Sequence, residues 1–479
     1  LIDDYFMQGF ETSMVGPSMD ISQNPYSIIA LGGYGRQEQC IRSDVDLLFL
    51  FKKAVPAEAE NLIQEIIYPL WDIGLDVAYA TRSLKECISL ASQDFEVLTP
   101  VLDARFICGW SLIFSDLMKQ VREKIIAKKS RSIINWLVQR NEIRHAHFGD
   151  SAYLLEPNFK EGQGGLRDYH TMLWIGKIEY NMKDARDFEY LGLLSHNEFQ
   201  TLRASLEFIW NARNRLHYLC GRKCDQLNFE NQLKLAEALK YKSSNGQQPV
   251  EKFLGELHAS MEFVKQQHLM FLYELGLEKK RKRRKKSQKK SKIDGLAVTE
   301  SGTLDFAAPE KIIESPALLM QIFEESARLK FPLSTESKRL VKEFSYLVNN
   351  KFRSNPSILK SFERILVAPA PTFNVLNEMM NTGFLVKYIP EFHNVSNRIQ
   401  YDEYHLYPVD KHLLRTVKTI KKFGSSKDNS LEPLCDTIYK EIKNKKPLLW
   451  AALLHDIGKG ESDEDHAKKG SAIVKKALK

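Results

Sequence analysis

The sequence predicts an α+β domain followed by all-α domains, and three features lead there. Over residues 1–110, strand-like and helix-like segments alternate. From 111 to 277 the apolar residues recur with a 3.6-residue period, as in SIINWLVQRNEIRHAHFG and LRASLEFIWNARNRLHYL. Helical spacing returns from Glu310 to the end. One core does not serve 479 residues. Four segments are therefore expected: a mixed domain at 1–110, a helical bundle at 111–277, a basic linker at 278–295 and a second helical domain at 296–479.

Charge and composition narrow the function classes. The net charge of +8 is concentrated in KKRKRRKKSQKKSK, residues 279–292, which holds 11 positive charges and leaves −3 for the remainder. Such a run is a solvated, self-repelling linker by default, and nucleic acid is not an expected partner of the rest. There is no run of 18 apolar residues and no signal-peptide pattern, so neither membrane insertion nor secretion is expected. The six cysteines are scattered and form no CxxC pair. That usage fits a reducing cytoplasm.

The chemistry begins in LGGYGRQEQCIRSDVDLLFLF, residues 31–51. A β-branched run, SIIA, leads into Gly32 and Gly33, whose backbone N–H groups can approach a phosphate with no side chain in the way. After Ser43 comes an apolar strand carrying Asp44 and Asp46. Side chains two residues apart in a strand share a face. The two carboxylates therefore repel unless a cation lies between them or one takes up a proton. A divalent metal is the simplest resolution, since magnesium is commonly held by one or two carboxylates together with nucleotide phosphates. The alternative makes Asp44 a turn residue with Ser43, and Asp46 an edge charge that blocks strand pairing. LWDIGLDVAYATRS offers a third carboxylate: Asp76 stands in an apolar extended run and needs a partner there, whereas Asp72 fits a helix end.

Two further motifs carry chemistry. LLEPNFKEGQGGLRDYHTMLW reads as a rigid loop entering a helix. Either Asp168 caps a helix beginning at Tyr169, or Lys160 or Arg167 reaches nucleotide phosphates. Near the end, LLWAALLHDIGKGESDEDHAKKG places His455 and Asp456 within an apolar helix that starts near Pro447. Lys459 follows three residues after Asp456, Asp465 and His466 lie ten residues on, and His412 lies upstream on another helix. This H…HD spacing predicts a metal site that activates water for attack on a phosphoester.

GGYGR with SDVDLLFLF, LEPNFKEGQGGLRD, and VDKHLLR with LLHDIGKG occur in that order. With them the chain resembles the family of bifunctional uridylyltransferase/uridylyl-removing enzymes that modify the PII nitrogen-signalling protein. The resemblance implies a DNA-polymerase-beta-like nucleotidyltransferase domain, a helical domain and an HD phosphohydrolase domain. It implies transfer of UMP from UTP to a tyrosine of PII, and hydrolysis of that bond. On this sequence Asp44, Asp46 and Asp76 would hold Mg2+, and Gly32, Gly33, Arg36, Ser43, Lys160 and Arg167 would bind the nucleotide. His412, His455 and Asp456 would hold Mn2+ or Mg2+ in the hydrolase, with Lys459 and His466 as accessories. A last HD-site aspartate and glutamine-sensing ACT domains would follow Lys479. The start at Leu1 and the helical ending GSAIVKKALK suggest a fragment, in which UMP removal is slow and glutamine has no effect. Two other classes share these features: an RNA nucleotidyltransferase of the CCA-adding or poly(A) polymerase kind, and a non-catalytic nucleotide-sensing protein.

Overall fold

The run YSIIA forms a fully buried strand, β1 (Tyr26–Ala30), as its β-branched residues require. In the computed structural model the described residues are 1–15, 24–148, 156–243, 247–277, 291–299, 302–369, 375–401, 408–423, 433–460 and 466–477. Residues 279–290 of the basic run, and Asp465, lie outside them. Two compact units are present. One comprises Leu1–Ala152, Glu156–Leu239 and Ser260–Phe271; the other comprises Tyr153–Leu155, Lys240–Ala259 and Leu272–Lys479.

In the first unit β1 pairs antiparallel with β2 (Val45–Phe51), and β2 pairs parallel with β3 (Val77–Ser83). A fourth strand, β4 (Arg105–Gly109), joins β1 antiparallel, giving the order β3-β2-β1-β4. The parallel pair needs a crossover, which the helix Ala59–Asp72 supplies. Its Leu62, Ile66, Ile67 and Leu70 are buried in one core with Val45, Leu47, Phe49 and Phe51. Those odd-numbered β2 side chains fill that core, so the even-numbered Asp46 belongs to the opposite face. The sheet is mixed and the chain beyond it is mostly helical, as expected.

The loop from Pro157 is rigid because its polar groups are internally spent. Asn158 Oδ1 accepts from the N–H groups of Lys160 (3.0 Å) and Glu161 (2.7 Å). Leu166 N–H donates to Phe159 O and Arg167 N–H to Lys160 O, both at 2.9 Å. The helix beyond begins at Leu166, not Tyr169, and runs to Glu179. Asp168 is thus in its first turn, where one carboxylate oxygen takes the Gly164 N–H at 2.7 Å. The other oxygen meets Arg144 and lies 2.7 Å from His145 Nε2. This carboxylate is fully buried. Burial alone would raise its pKa, but the charges of His268 and Arg144 and the hydrogen bond with His145 hold it far below the carboxylate range.

Helices dominate the second unit. Asn355 caps the helix Pro356–Val367, accepting the Ser357 N–H at 2.9 Å with proline at the first helical position. Ile358, Phe362, Ile365 and Leu366 on that helix share a core with residues of the helices Val409–Lys422 and Lys446–Leu454. A purely helical region was expected after 296, yet Leu296–Val298 and Leu304–Phe306 form a two-stranded antiparallel sheet. Three-residue strands are too short for a period-2 signal to show. The helix expected to contain His455 and Asp456 ends at Leu454; a 3-10 turn, Ile457–Gly460, comes after it.

Asp168→Asn removes the buried charge opposite the largely buried Arg144 and is expected to cost about 3–5 kcal/mol of stability, read as a lower denaturation midpoint. Because the native Asp168 pKa is depressed, its stabilisation is present above the unfolded carboxylate pKa of about 3.9 and is lost as pH falls below it. The Asn variant should therefore lose stability less steeply than the parent between pH 4 and pH 2.

Candidate functional site

Strand polarity creates the first site. The C-terminal end of β1 and the N-terminal ends of the parallel strands β2 and β3 fall at one edge of the sheet. Asp44 precedes β2 by one residue and Asp76 precedes β3 by one, and Val45 N–H donates to Asp76 O at 2.8 Å. Leu31 N–H donates to Asp46 O at 2.9 Å, drawing the glycine turn onto the same spot. The turn is a single helical turn, Gly32–Gly35. Gly32 has φ +52°, and a Cβ on it would lie 3.1 Å from Asp46 Oδ2. Glycine is needed there for its backbone and for its missing side chain.

The carboxyls behave as their mutual repulsion requires. Asp44 and Asp76 share a hydrogen bond, and this bond together with the Asp44 charge raises the Asp76 pKa. Burial and Asp44 raise that of Asp46. Burial acts upward on Asp44 as well, but Lys223, Asp76 and Lys160 bring it below the ordinary value. The Lys223 ammonium thus supplies positive charge beside Asp44 where a divalent ion would supply it, and the all-carboxylate donor set suits such an ion, although one oxygen from each of the three does not fall within 4.8 Å of the others as the ligand atoms of the second site do. Asp76, expected in an apolar environment, is exposed and gets its partner from the neighbouring strand.

The other predicted residues are distributed around this edge. Lys160 is half-buried, its pKa is lowered by burial and then by Arg167 and Arg213, and its charge acts on Asp44 and Asp46. Among the described residues no carboxylate forms an ion pair with it. Arg167 instead bonds Glu161 Oε1 (3.2 Å) and lies over the Trp174 ring. Ser43 closes a turn with Cys40, donating its N–H to Cys40 O at 2.8 Å. Arg36 is buried between Asp103 and Glu38 Oε2 (2.7 Å). Glu38 in turn lies 2.8 Å from His170 Nε2, while Asp103 accepts from Trp174 Nε1 and Lys177 Nζ, each at 2.8 Å. This network fastens the helix Leu166–Glu179 to the glycine turn.

One residue at the site was missed. Lys223 Nζ lies 2.7 Å from Asp44 Oδ2, 179 positions away along the chain. The sequence offers only "GRKCD" as a signal, an unremarkable basic pair.

The second site lies in the other unit. His412 comes from the helix Val409–Lys422, and His455 comes directly after the helix Lys446–Leu454. Their Nε2 atoms are 3.1 Å apart, and Asp456 Oδ2 lies 3.8 Å and 3.6 Å from them. Among the described residues these three form the group whose ligand atoms all fall within 4.8 Å of one another. One ion with bonds of about 2.1 Å spans the two imidazoles. His455 Nδ1 is 3.0 Å from Ala452 O, a bond that fixes the tautomer and leaves Nε2 free to ligate. Burial acts upward on Asp456, but Lys459 Nζ at 2.9 Å and the two histidines hold it below its ordinary value. Both imidazoles are partly exposed, which leaves an open side for substrate. His466 starts the next helix, His466–Ala477. Its carbonyl would lie 2.1 Å, and Gly470 N 2.5 Å, from a Cβ on Gly458.

Family models match three successive stretches of the chain. The model described as GlnD PII-uridylyltransferase matches residues 133–272, that of the uridylyltransferase GlnD third domain matches 298–388, and that of the HD domain matches 409–479. The chain belongs to the GlnD uridylyltransferase family. It is a nucleotidyltransferase that also carries an HD hydrolase domain. The first match contains Lys160, Arg167, Asp168 and Lys223, and the HD match contains His412, His455 and Asp456. None of the three reaches the sheet with its aspartates, so those positions stand on geometry and chemistry alone. No helix among the described residues is long and apolar enough to cross a membrane.

Gly32→Ala puts an alanine at positive φ and a methyl group against Asp46. The backbone term alone should cost about 1–2 kcal/mol, read by thermal denaturation. Binding of Mn2+ at the carboxylates, read by titration, should weaken in the same variant.

Proposed function

We propose that this enzyme transfers UMP from UTP to a tyrosine of a PII-type regulatory protein, and that its HD centre hydrolyses the resulting bond, in cytoplasmic control of nitrogen metabolism. The observation that supports the transferase half is that Asp44, Asp46 and Asp76 stand at one end of the sheet beside a glycine turn and Lys160, which makes no ion pair among the described residues, within a chain of this family. Asp44, Asp46 and Asp76 hold Mg2+. That ion, when bound, neutralises charge on the phosphoryl group as it transfers. The Gly32 and Gly33 N–H groups have no intrahelical acceptor at the start of their turn and donate to phosphate oxygens. Lys160 adds positive charge opposite the carboxylates, and its burial strengthens that interaction. Arg36 and Arg167 act from behind, keeping the glycine turn and the loop in position.

In the HD domain His412, His455 and Asp456 hold Mn2+ or Mg2+, which supplies an activated water when bound. Lys459 keeps Asp456 ionised and oriented.

Asp46→Asn should leave the fold intact and lower labelled-UMP transfer onto a PII-type protein by about three orders of magnitude, near 4 kcal/mol of transition-state stabilisation. Near-normal transfer would give these aspartates a structural role. Conversely, His455→Ala should leave transfer intact and reduce Mn2+-dependent release of UMP from modified protein by at least about a hundredfold. A parallel loss of both activities would contradict two separate centres.

A further inference from the structure

Lys223 is absent from the sequence motifs, yet it makes a direct ion pair with one of the transferase aspartates. Its ammonium is 2.7 Å from Asp44 Oδ2, and the side chains are 44% and 35% exposed. An ion pair this open is weak and easily exchanged. The backbone that carries it is fixed. Gly221 ends the helix His196–Cys220 in the left-handed conformation. Two residues after Lys223, Asp225 is bonded by Arg213 Nε (2.6 Å) and lies 3.1 Å from His217 Nε2. Asp225 O also takes the Phe159 N–H at 2.8 Å, and Leu227 N–H donates to Pro157 O at 2.9 Å. The loop bearing Lys223 and the loop bearing Lys160 are thereby tied together, with two lysines aimed at one group of carboxylates. Lys223 keeps a long, solvent-reaching side chain on an anchored Cα.

We propose that Lys223 is an exchangeable counter-ion and a nucleotide-binding residue of the transferase. It competes with a divalent ion for the Asp44 carboxylate, and it moves to the polyphosphate of the nucleotide when metal and nucleotide bind together. This rests on the reading of Asp44, Asp46 and Asp76 as the transferase centre. The phosphate chain offers the ammonium a denser negative charge than a carboxylate already shared with a metal, so the exchange is favourable once both are bound. Lys223 thus opposes metal binding alone and favours metal with nucleotide.

The test uses the full chain with His455→Ala, so that Mn2+ uptake reports on the carboxylates. Free Mn2+ is followed by electron paramagnetic resonance, first alone and then with a non-transferable UTP analogue. Lys223→Met should bind Mn2+ alone several-fold more tightly and bind the analogue with Mn2+ about tenfold more weakly, the worth of one charge-assisted hydrogen bond. Lys223→Arg, which keeps the charge, should return both values toward the parent. Unchanged binding, or two constants that move in the same direction, would overturn the proposal and leave Lys223 a structural residue. Asp46→Asn in the same background separates the two levels. If it abolishes Mn2+ uptake, the centre stands and the Lys223 result is decisive; if uptake persists, the centre is misplaced and the proposal falls with it.

Discussion

Three carboxylates at the edge of two adjacent parallel strands cannot stay together without positive charge among them. Parallel pairing of β2 with β3 sets Asp44 beside Asp76, and strand alternation keeps Asp46 off the face that packs on the crossover helix. Repulsion at this edge is met by the ammonium of Lys223 on Asp44 and by the charge of Lys160, which acts on both Asp44 and Asp46. Both lysines come from the helical segment beyond the sheet. The sheet alone would be an unbalanced site, so the helical segment completes the centre electrostatically.

The second constraint is the buried polar network on Asp103. Arg36, Trp174 and Lys177 converge on that carboxylate, and Arg36 also reaches Glu38, which lies against His170. Breaking such a network strands charges away from water. The glycine turn and the helix after the loop therefore keep one relative position. Arg36 is best understood through this role, since its guanidinium is already committed.

Much of the transferase edge was legible in the sequence because it is local. Asp44 and Asp46 stand at period-2 spacing before an apolar run, Asp76 is an acid without a nearby excuse, and Gly32 and Gly33 end a β-branched strand. Lys223 was not legible, since nothing in a surface lysine announces a carboxylate 179 positions upstream. The same holds for Asp103 and His170, whose partners are defined only by folding. His455 was misplaced within a helix because the apolar pattern continues unbroken through Ile457, which is buried on the 3-10 turn beyond it. Hydrophobic periodicity reports burial; it does not report the backbone hydrogen bonds that end a helix. The two short strands at 296–306 escaped for the converse reason, being too brief to show a period.

The tight seat of Gly458 affects how sequence variation in this enzyme is to be interpreted. Its Cα faces main-chain atoms of His466 and Gly470 with no room for a methyl group, and it has no side chain with which to ligate. A survey of tolerated substitutions would therefore score Gly458 as strictly as the histidines three and more positions away, and a reader of that survey would count it among the reacting groups. Intolerance at this position has a steric origin: the backbone of the helix His466–Ala477 braces the segment that presents His455 and Asp456. Catalytic and bracing positions can be told apart by asking which atoms of the residue are in contact, because a ligand is lost with its side chain and a brace is lost when a side chain is added.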